Sequence, residues 1–187
     1  MLAAKARKKA VRCKRKQGLA LKYADYLNEF NEFIFGYYKP LDADAYRWVH
    51  NPLIPDDSLP QIFQENDSRC VDDLNRPSAD DPVGVVLDYV GNFTLSNYDT
   101  LEHAEEVYQS WVDKFAKRKD AKERIRQWIE KVGIHIVRVH YSPDVAVCSP
   151  IEEDGHFEAL LAESTDWEKL VDQTFKPYRI NIKYDEA

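Results

Sequence analysis

Ala121-Lys-Glu-Arg-Ile-Arg-Gln-Trp-Ile-Glu-Lys-Val-Gly-Ile-His-Ile-Val-Arg-Val-His-Tyr141 passes from one kind of element to another at a single glycine. Ala121, Ile125, Trp128, Ile129 and Val132 recur at three- and four-residue spacing, which puts them on one side of a helix ending at Gly133. Ile134 to Tyr141 then reads as a strand. On the N-terminal side, Leu101, Ala104, Tyr108, Trp111, Val112 and Phe115 form a second apolar stripe that reaches about Arg118. Asp99 with Glu102, and Asp120 with Glu123, stand at capping-box spacing at the two helix starts. The helices are expected to be antiparallel neighbours or a bent pair.

Further out, Val83-Gly-Val-Val-Leu-Asp-Tyr-Val90 is apolar on both faces and predicts a central strand, turned at Gly91-Asn92 into a hairpin with Phe93-Thr-Leu95. Ser142-Pro-Asp144 is expected to fold the strand over 134–141 into a hairpin with 145–148. Short helices are expected over 156–162 and over 166–173, where Thr165 and Glu168 have capping spacing. Tyr178, Ile180, Ile182 and Tyr184 alternate with Arg179, Asn181 and Lys183, the pattern of a strand with one wet face. These elements predict an α+β fold: an antiparallel or mixed sheet of about four to five strands, helices packed on one face, and a protruding basic N-terminal helix.

That helix is expected from Leu2 to about Ile34, because no proline interrupts it and Ala20, Tyr23, Ala24, Leu27, Phe30 and Ile34 share a face. Its first half has only Ala, Val and Cys between its charges and little to bury, so residues 1–17 read as an arm and 18–187 as a single α+β domain. Gly36 and Pro40 should end the helix. Residues 36–82 hold six of the nine prolines and the pairs Asp56-Asp57, Asp72-Asp73 and Asp80-Asp81, and read as an irregular acidic excursion with one short helix near 59–64. Tyr46, Trp48, Leu53, Ile54, Ile62 and Phe63 argue that it packs.

With 187 residues, 44% hydrophobic, and four Trp, eleven Tyr and eight Phe, the chain can build one core without metals or disulfides. Cys13, Cys70 and Cys148 lie far apart with no CxxC pair, which argues against a zinc ribbon or a disulfide scaffold. No run approaches the roughly 18 apolar residues of a spanning helix. Nor is the basic start followed by the apolar stretch of a signal peptide. A cytoplasmic location, or a nuclear one in a eukaryotic source, is the expectation, with no membrane partner.

Classical nucleotide cradles are excluded, since only six glycines occur and neither a GxGxxG nor a P-loop pattern is present. His135, His140, Cys148 and His156 are the nearest approach to a metal set. His135 and His140 are an odd number apart on one strand and face opposite sides, so local hydrogen bonding is expected and no metal is assigned. His140, Ser142 and Asp144 have the residue types of a triad, but five consecutive residues make a turn more readily than a triad. Asp88, set in an apolar run, must face water or find a partner such as Arg138 or His135. No catalytic residue and no cofactor are assigned.

Charge carries the functional expectation. The net charge of −7 divides sharply: residues 1–24 hold nine basic residues and no acid, leaving seventeen basic residues against all 33 acids, or −16. Lys5, Arg7, Lys8, Lys9, Arg12, Lys14, Arg15 and Lys16 form a density suited to neutralising phosphates. A second basic cluster surrounds the junction of the paired helices, and from it Lys117, Arg118, Lys119, Lys122 and Arg124 are taken as nucleic-acid-binding candidates. Residues 42–106, with fifteen acids and three bases, would repel phosphate and instead attract a basic protein or the arm of another copy. The expectation is a non-enzymatic accessory protein that binds RNA or DNA. Its rival is a protein–protein interaction module, an inhibitor or an assembly subunit, that meets an acidic protein surface or associates with itself.

Overall fold

The structure, a computed structural model, describes residues 19–176 apart from 66, 68 and 79. Its framework is an α+β arrangement in which every strand pairing is antiparallel. The strands are β1 (Lys39–Pro40), β2 (Ala43–Val49), β3 (Leu95–Tyr98), β4 (His135–Tyr141), β5 (Ala146–Cys148), β6 (His156–Leu161) and β7 (Val171–Phe175). Among the described residues these seven form one sheet in the order β1-β5-β6-β3-β2-β4-β7, in place of the four to five strands expected. The helices are α1 (Ala24–Leu27), α2 (Asn31–Tyr37), α3 (Val83–Gly91), α4 (Leu101–Ala116) and α5 (Ala121–Val132). The arm over 1–17 and the strand expected from Tyr178 to Tyr184 lie outside the described residues.

The register sorts the side chains onto two faces. One face carries Ala45, Val49, Leu95, Val137, Val139, Phe157 and Ala159, which form a buried core. This core is closed by Trp167 and Leu170 of a 3-10 turn and by Leu41, Leu53 and Val145. The other face carries the helices. α1 to α3 cover the β5–β6 half, where Phe30, Ile34, Val86, Val90 and Phe93 meet Val147 and Leu160. α4 and α5 cover the β2–β4 half, where Ala104 meets Tyr98 and Ile136, and Tyr108, Val112 and Ile125 pack beneath Trp48 and Trp128.

The paired helices α4 and α5 form where the periodicity puts them, although their starts differ from the capping boxes expected. Thr100, not Asp99, accepts from the His103 amide, and Asp120 makes no side-chain cap and instead pairs with Arg124 at 2.8 Å. Gly133 ends α5 at φ 73°, with the Val49 carbonyl oxygen 2.0 Å from where a Cβ would stand, so only glycine fits there.

Several expectations are overturned. Residues 83–91 are helix, not strand: Val86, Tyr89, Val90 and Phe93 are buried at helical spacing, whereas Val83 and Val85 stay 60% and 48% exposed. The run is therefore apolar on one buried face plus two exposed valines, and no hairpin forms with 93–95. β5 is not hairpinned to β4, because β2 and β7 occupy both edges of β4; the turn at Ser142 sends the chain across to β6. Residues 156–161 are strand, since the helix-favouring Glu-Ala-Leu-Leu run pairs with β3 on one side and β5 on the other. The helix expected over 166–173 is a 3-10 turn, Trp167–Leu170, followed by β7. The acidic excursion, expected to be irregular, contains β2, which pairs along its whole length with β4. A 3-10 turn, Gln61–Phe63, stands where its short helix was expected.

Among the described residues, the long N-terminal helix that was expected is interrupted over 19–23. Leu21 bridges to Ala162, and the Lys22 amide donates to the Leu161 carbonyl at 2.9 Å, so this segment is drawn to the β6 end instead of continuing a helix. Tyr23, at φ 62°, then turns the chain into α1, held by its ring stacked on Phe63 at 4.5 Å. Gly36 lies inside the last turn of α2 and does not end it.

Candidate functional site

β3 is the middle strand of the sheet, yet Ser96 at its centre is exposed. The reason is the division of the helical layer. α1–α3 pack on one half of the sheet and α4–α5 on the other, with α4 reaching β3 at Tyr98, and Ser96 lies uncovered between them. The result is a groove of 640 Å³ with Ser96, Tyr98 and Glu158 in its floor. A cleft of that size between layers, with mixed polar and aromatic walls, has the character of a ligand site.

One wall is built by α4 and α5. Trp111 and Trp128 both line the groove and stack on each other with centroids 5.4 Å apart and planes 29° apart. Trp48 stands edge-on to Trp128 at 5.6 Å and is anchored by its Nε1 donating to the Ala104 carbonyl at 2.9 Å. Basic residues are interleaved with these rings at helical spacing. Lys114 and Arg118 follow Trp111 by three and seven residues, and Arg124 and Lys131 flank Trp128 by four and three. The Lys114 ammonium sits 4.2 Å over the Trp111 ring, and Lys131 itself lines the groove.

The opposite wall is acidic and hydrogen-bonded. The Tyr38 hydroxyl donates to Glu158 Oε2 at 2.8 Å, and burial together with the Glu158 charge pushes the Tyr38 pKa well up. Gly91 faces the same carboxylate: a Cβ there would stand 3.3 Å from Glu158 Oε1 and crowd it. Asp88, on α3, lines this wall and is exposed.

At the sheet end, β2 and β3 pair only at Tyr46–Tyr98 and then diverge. Arg47 spans the opening, with Nε donating to the Asp57 carbonyl at 3.0 Å and Nη1 to the Ser96 carbonyl at 2.8 Å. Burial lowers the Arg47 pKa against the pull of Tyr141, Asp57 and Tyr98, and a guanidinium remains a cation under such a shift. Arg69 closes the top: it chelates Asp67 and donates to Asn92 Oδ1 at 3.0 Å, holding the Asp67 carboxyl down at about 2.

Of the residues singled out from sequence, Lys5 to Lys16 lie outside the described residues. Lys117, Arg118, Lys119, Lys122 and Arg124 are all exposed around the α4–α5 junction, with Arg124 engaged by Asp120. Asp88 is paired with neither Arg138 nor His135. Arg138 instead donates to Asp172 at 2.7 Å, across the β4–β7 pair. His140 is held between Asp44 at 2.9 Å and Asp42 at 3.0 Å, which raises its pKa, while Ser142 donates to its neighbour Asp144. Among the described residues, no three of His, Cys, Asp and Glu are grouped to hold a metal, and no helix is long and apolar enough to cross a membrane.

Local sequence does not announce the groove. Trp111 and Trp128 belong to apolar stripes that point to core, and Glu158 sits in a run that favours helix; the interleaving of Trp with Lys and Arg at helical spacing is the available signal. No protein-family model, curated protein or solved structure matches the chain.

Proposed function

We propose that the protein is a non-enzymatic accessory protein that binds RNA or DNA through phosphates held at its basic residues. The observation that carries this reading is the strip on α4 and α5 in which the stacked Trp111–Trp128 pair is bracketed by Lys114, Arg118, Arg124 and Lys131. Cations interleaved with aromatic faces are the arrangement that holds a single strand, the charges taking phosphates while bases stack. Lys117, Lys119 and Lys122 extend the strip over the exposed junction. The Arg124–Asp120 pair is exposed, and such pairs contribute only about 0–1 kcal/mol, so the guanidinium can exchange its carboxylate for a phosphate. The arm from Lys5 to Lys16 supplies a second basic stretch for the same polyanion.

The test is fluorescence anisotropy of a labelled single strand titrated with the full chain over a range of salt. Binding should weaken linearly on a log–log plot, and Lys117→Ala, Arg118→Ala and Lys119→Ala together should reduce the slope by about 2. Deleting residues 1–17 should reduce it further. Affinity and salt slope unchanged by both alterations would overturn the reading. Light scattering on the same samples addresses the rival, because arm-to-body association between copies would dissociate as salt rises.

A further inference from the structure

We infer that the groove between the two helical layers receives one unpaired nucleobase, stacked on the Trp111–Trp128 wall with its exocyclic amine on Glu158. This rests on the proposed binding of a strand and names what the groove adds to it. Four observations converge on a flat, neutral, amine-bearing ligand. Trp111 and Trp128 line one wall, with the exposed Lys114 ammonium resting over the Trp111 ring, where a base would displace it, and with Lys131 in the lining. The floor at Ser96 is bare sheet, exposed at the centre of the middle strand. Glu158 presents a carboxylate of which one oxygen accepts from Tyr38, and the other faces the space that Gly91 leaves unfilled. Asp88 beside it repels phosphate from this wall, so the sugar-phosphate chain is confined to the Lys131 side.

An ionised carboxylate is an acceptor only, and it pairs with the amine of cytosine or adenine but finds no donor of that kind on thymine or uracil. A paired base is stacked between its neighbours and offers no open face, so duplex is excluded from the groove.

The experiment compares full-chain protein binding to oligo(dC), oligo(dA), oligo(dT) and a duplex of equal length, read by anisotropy and by quenching of tryptophan fluorescence. Wild type should bind oligo(dC) and oligo(dA) more tightly than oligo(dT) by on the order of tenfold, with quenching. Glu158→Gln, which keeps an acceptor for Tyr38, should erase the discrimination. Trp111→Ala should weaken oligo(dC) binding by about tenfold. Gly91→Leu, on a helix and at an ordinary backbone angle, should press on Glu158 and abolish quenching, with a thermal melt and circular dichroism run alongside to verify that the variant is folded. Salt-dependent binding of every strand with no discrimination, no quenching and no effect of Gly91→Leu would overturn the groove assignment and leave phosphate binding standing. No binding of any strand at low salt would overturn both.

Discussion

Tyr141 shows how much one hydroxyl can organise. Fully buried on β4, it donates to Asn97 Oδ1 at 3.1 Å and accepts from Trp167 Nε1 at 3.3 Å, and burial raises its pKa. Asn97 in turn donates to the Leu95 carbonyl at 2.7 Å. Tyr141→Phe keeps the packing and leaves two buried polar atoms without that partner, so it should destabilise the fold by about 1–3 kcal/mol. The check is a shift in the urea midpoint with an unchanged slope. Gly133 is the second such residue. With φ at 73° and the Val49 carbonyl against its Cα, Gly133→Ala should cost at least about 2 kcal/mol, measured the same way. The need for glycine is readable as a helix stop; the close approach of β2 is not, because it joins residues far apart in the chain.

At the scale of elements, one side chain ties β2 to β3 beyond their single paired position. Arg47 on β2 donates to the Ser96 carbonyl of β3 and to the Asp57 carbonyl of the 3-10 turn Pro55–Ser58. Arg47→Met would leave both carbonyls without that donor and should cost about 1–3 kcal/mol, with faster amide exchange in β2 and β3 than in β6. The same scale shows which elements are legible in the sequence. α4 and α5 carry their burial pattern in their own periodicity, so spacing alone places Tyr108, Val112 and Ile125 on a buried face. β6 is different: Phe157, Ala159 and Leu161 become one face only through pairing with β3 and β5, and the intrinsic preference of Ala159 and Leu161 runs the other way.

For the molecule as a whole, titration should bracket stability from both sides. His140 and His103 have pKa values raised chiefly by hydrogen bonds to Asp44 and Asp99. Their stabilising contribution is fully present below the ordinary histidine value and is lost as pH rises through the raised values. Asp67, held at about 2 by Arg69, and Asp172, lowered by Arg138, contribute above the ordinary aspartate value and lose that contribution as pH falls through their lowered values. His135, whose pKa is lowered by burial, adds to the loss on the acid side. Thermal melts from about pH 2 to about pH 9 should therefore show a maximum between these limits. His140→Gln should flatten the alkaline limb; an unchanged limb would mean that the contacts with Asp42 and Asp44 contribute nothing.

The amino-acid order alone determined the α+β class, the two amphipathic helices with their glycine stop, the strand at 134–141 and the division of charge, because each is written in neighbours three, four or a few residues apart. Strand order, the conversion of 83–91 to helix and of 156–161 to strand, and the uncovered strip above Ser96 were decided only in three dimensions. The physical reason is common to all of them. Which face of a segment is buried depends on what the rest of the chain brings against it, and the groove exists because two helical layers, built from separate stretches of the chain, meet over one sheet and leave Ser96 between them uncovered.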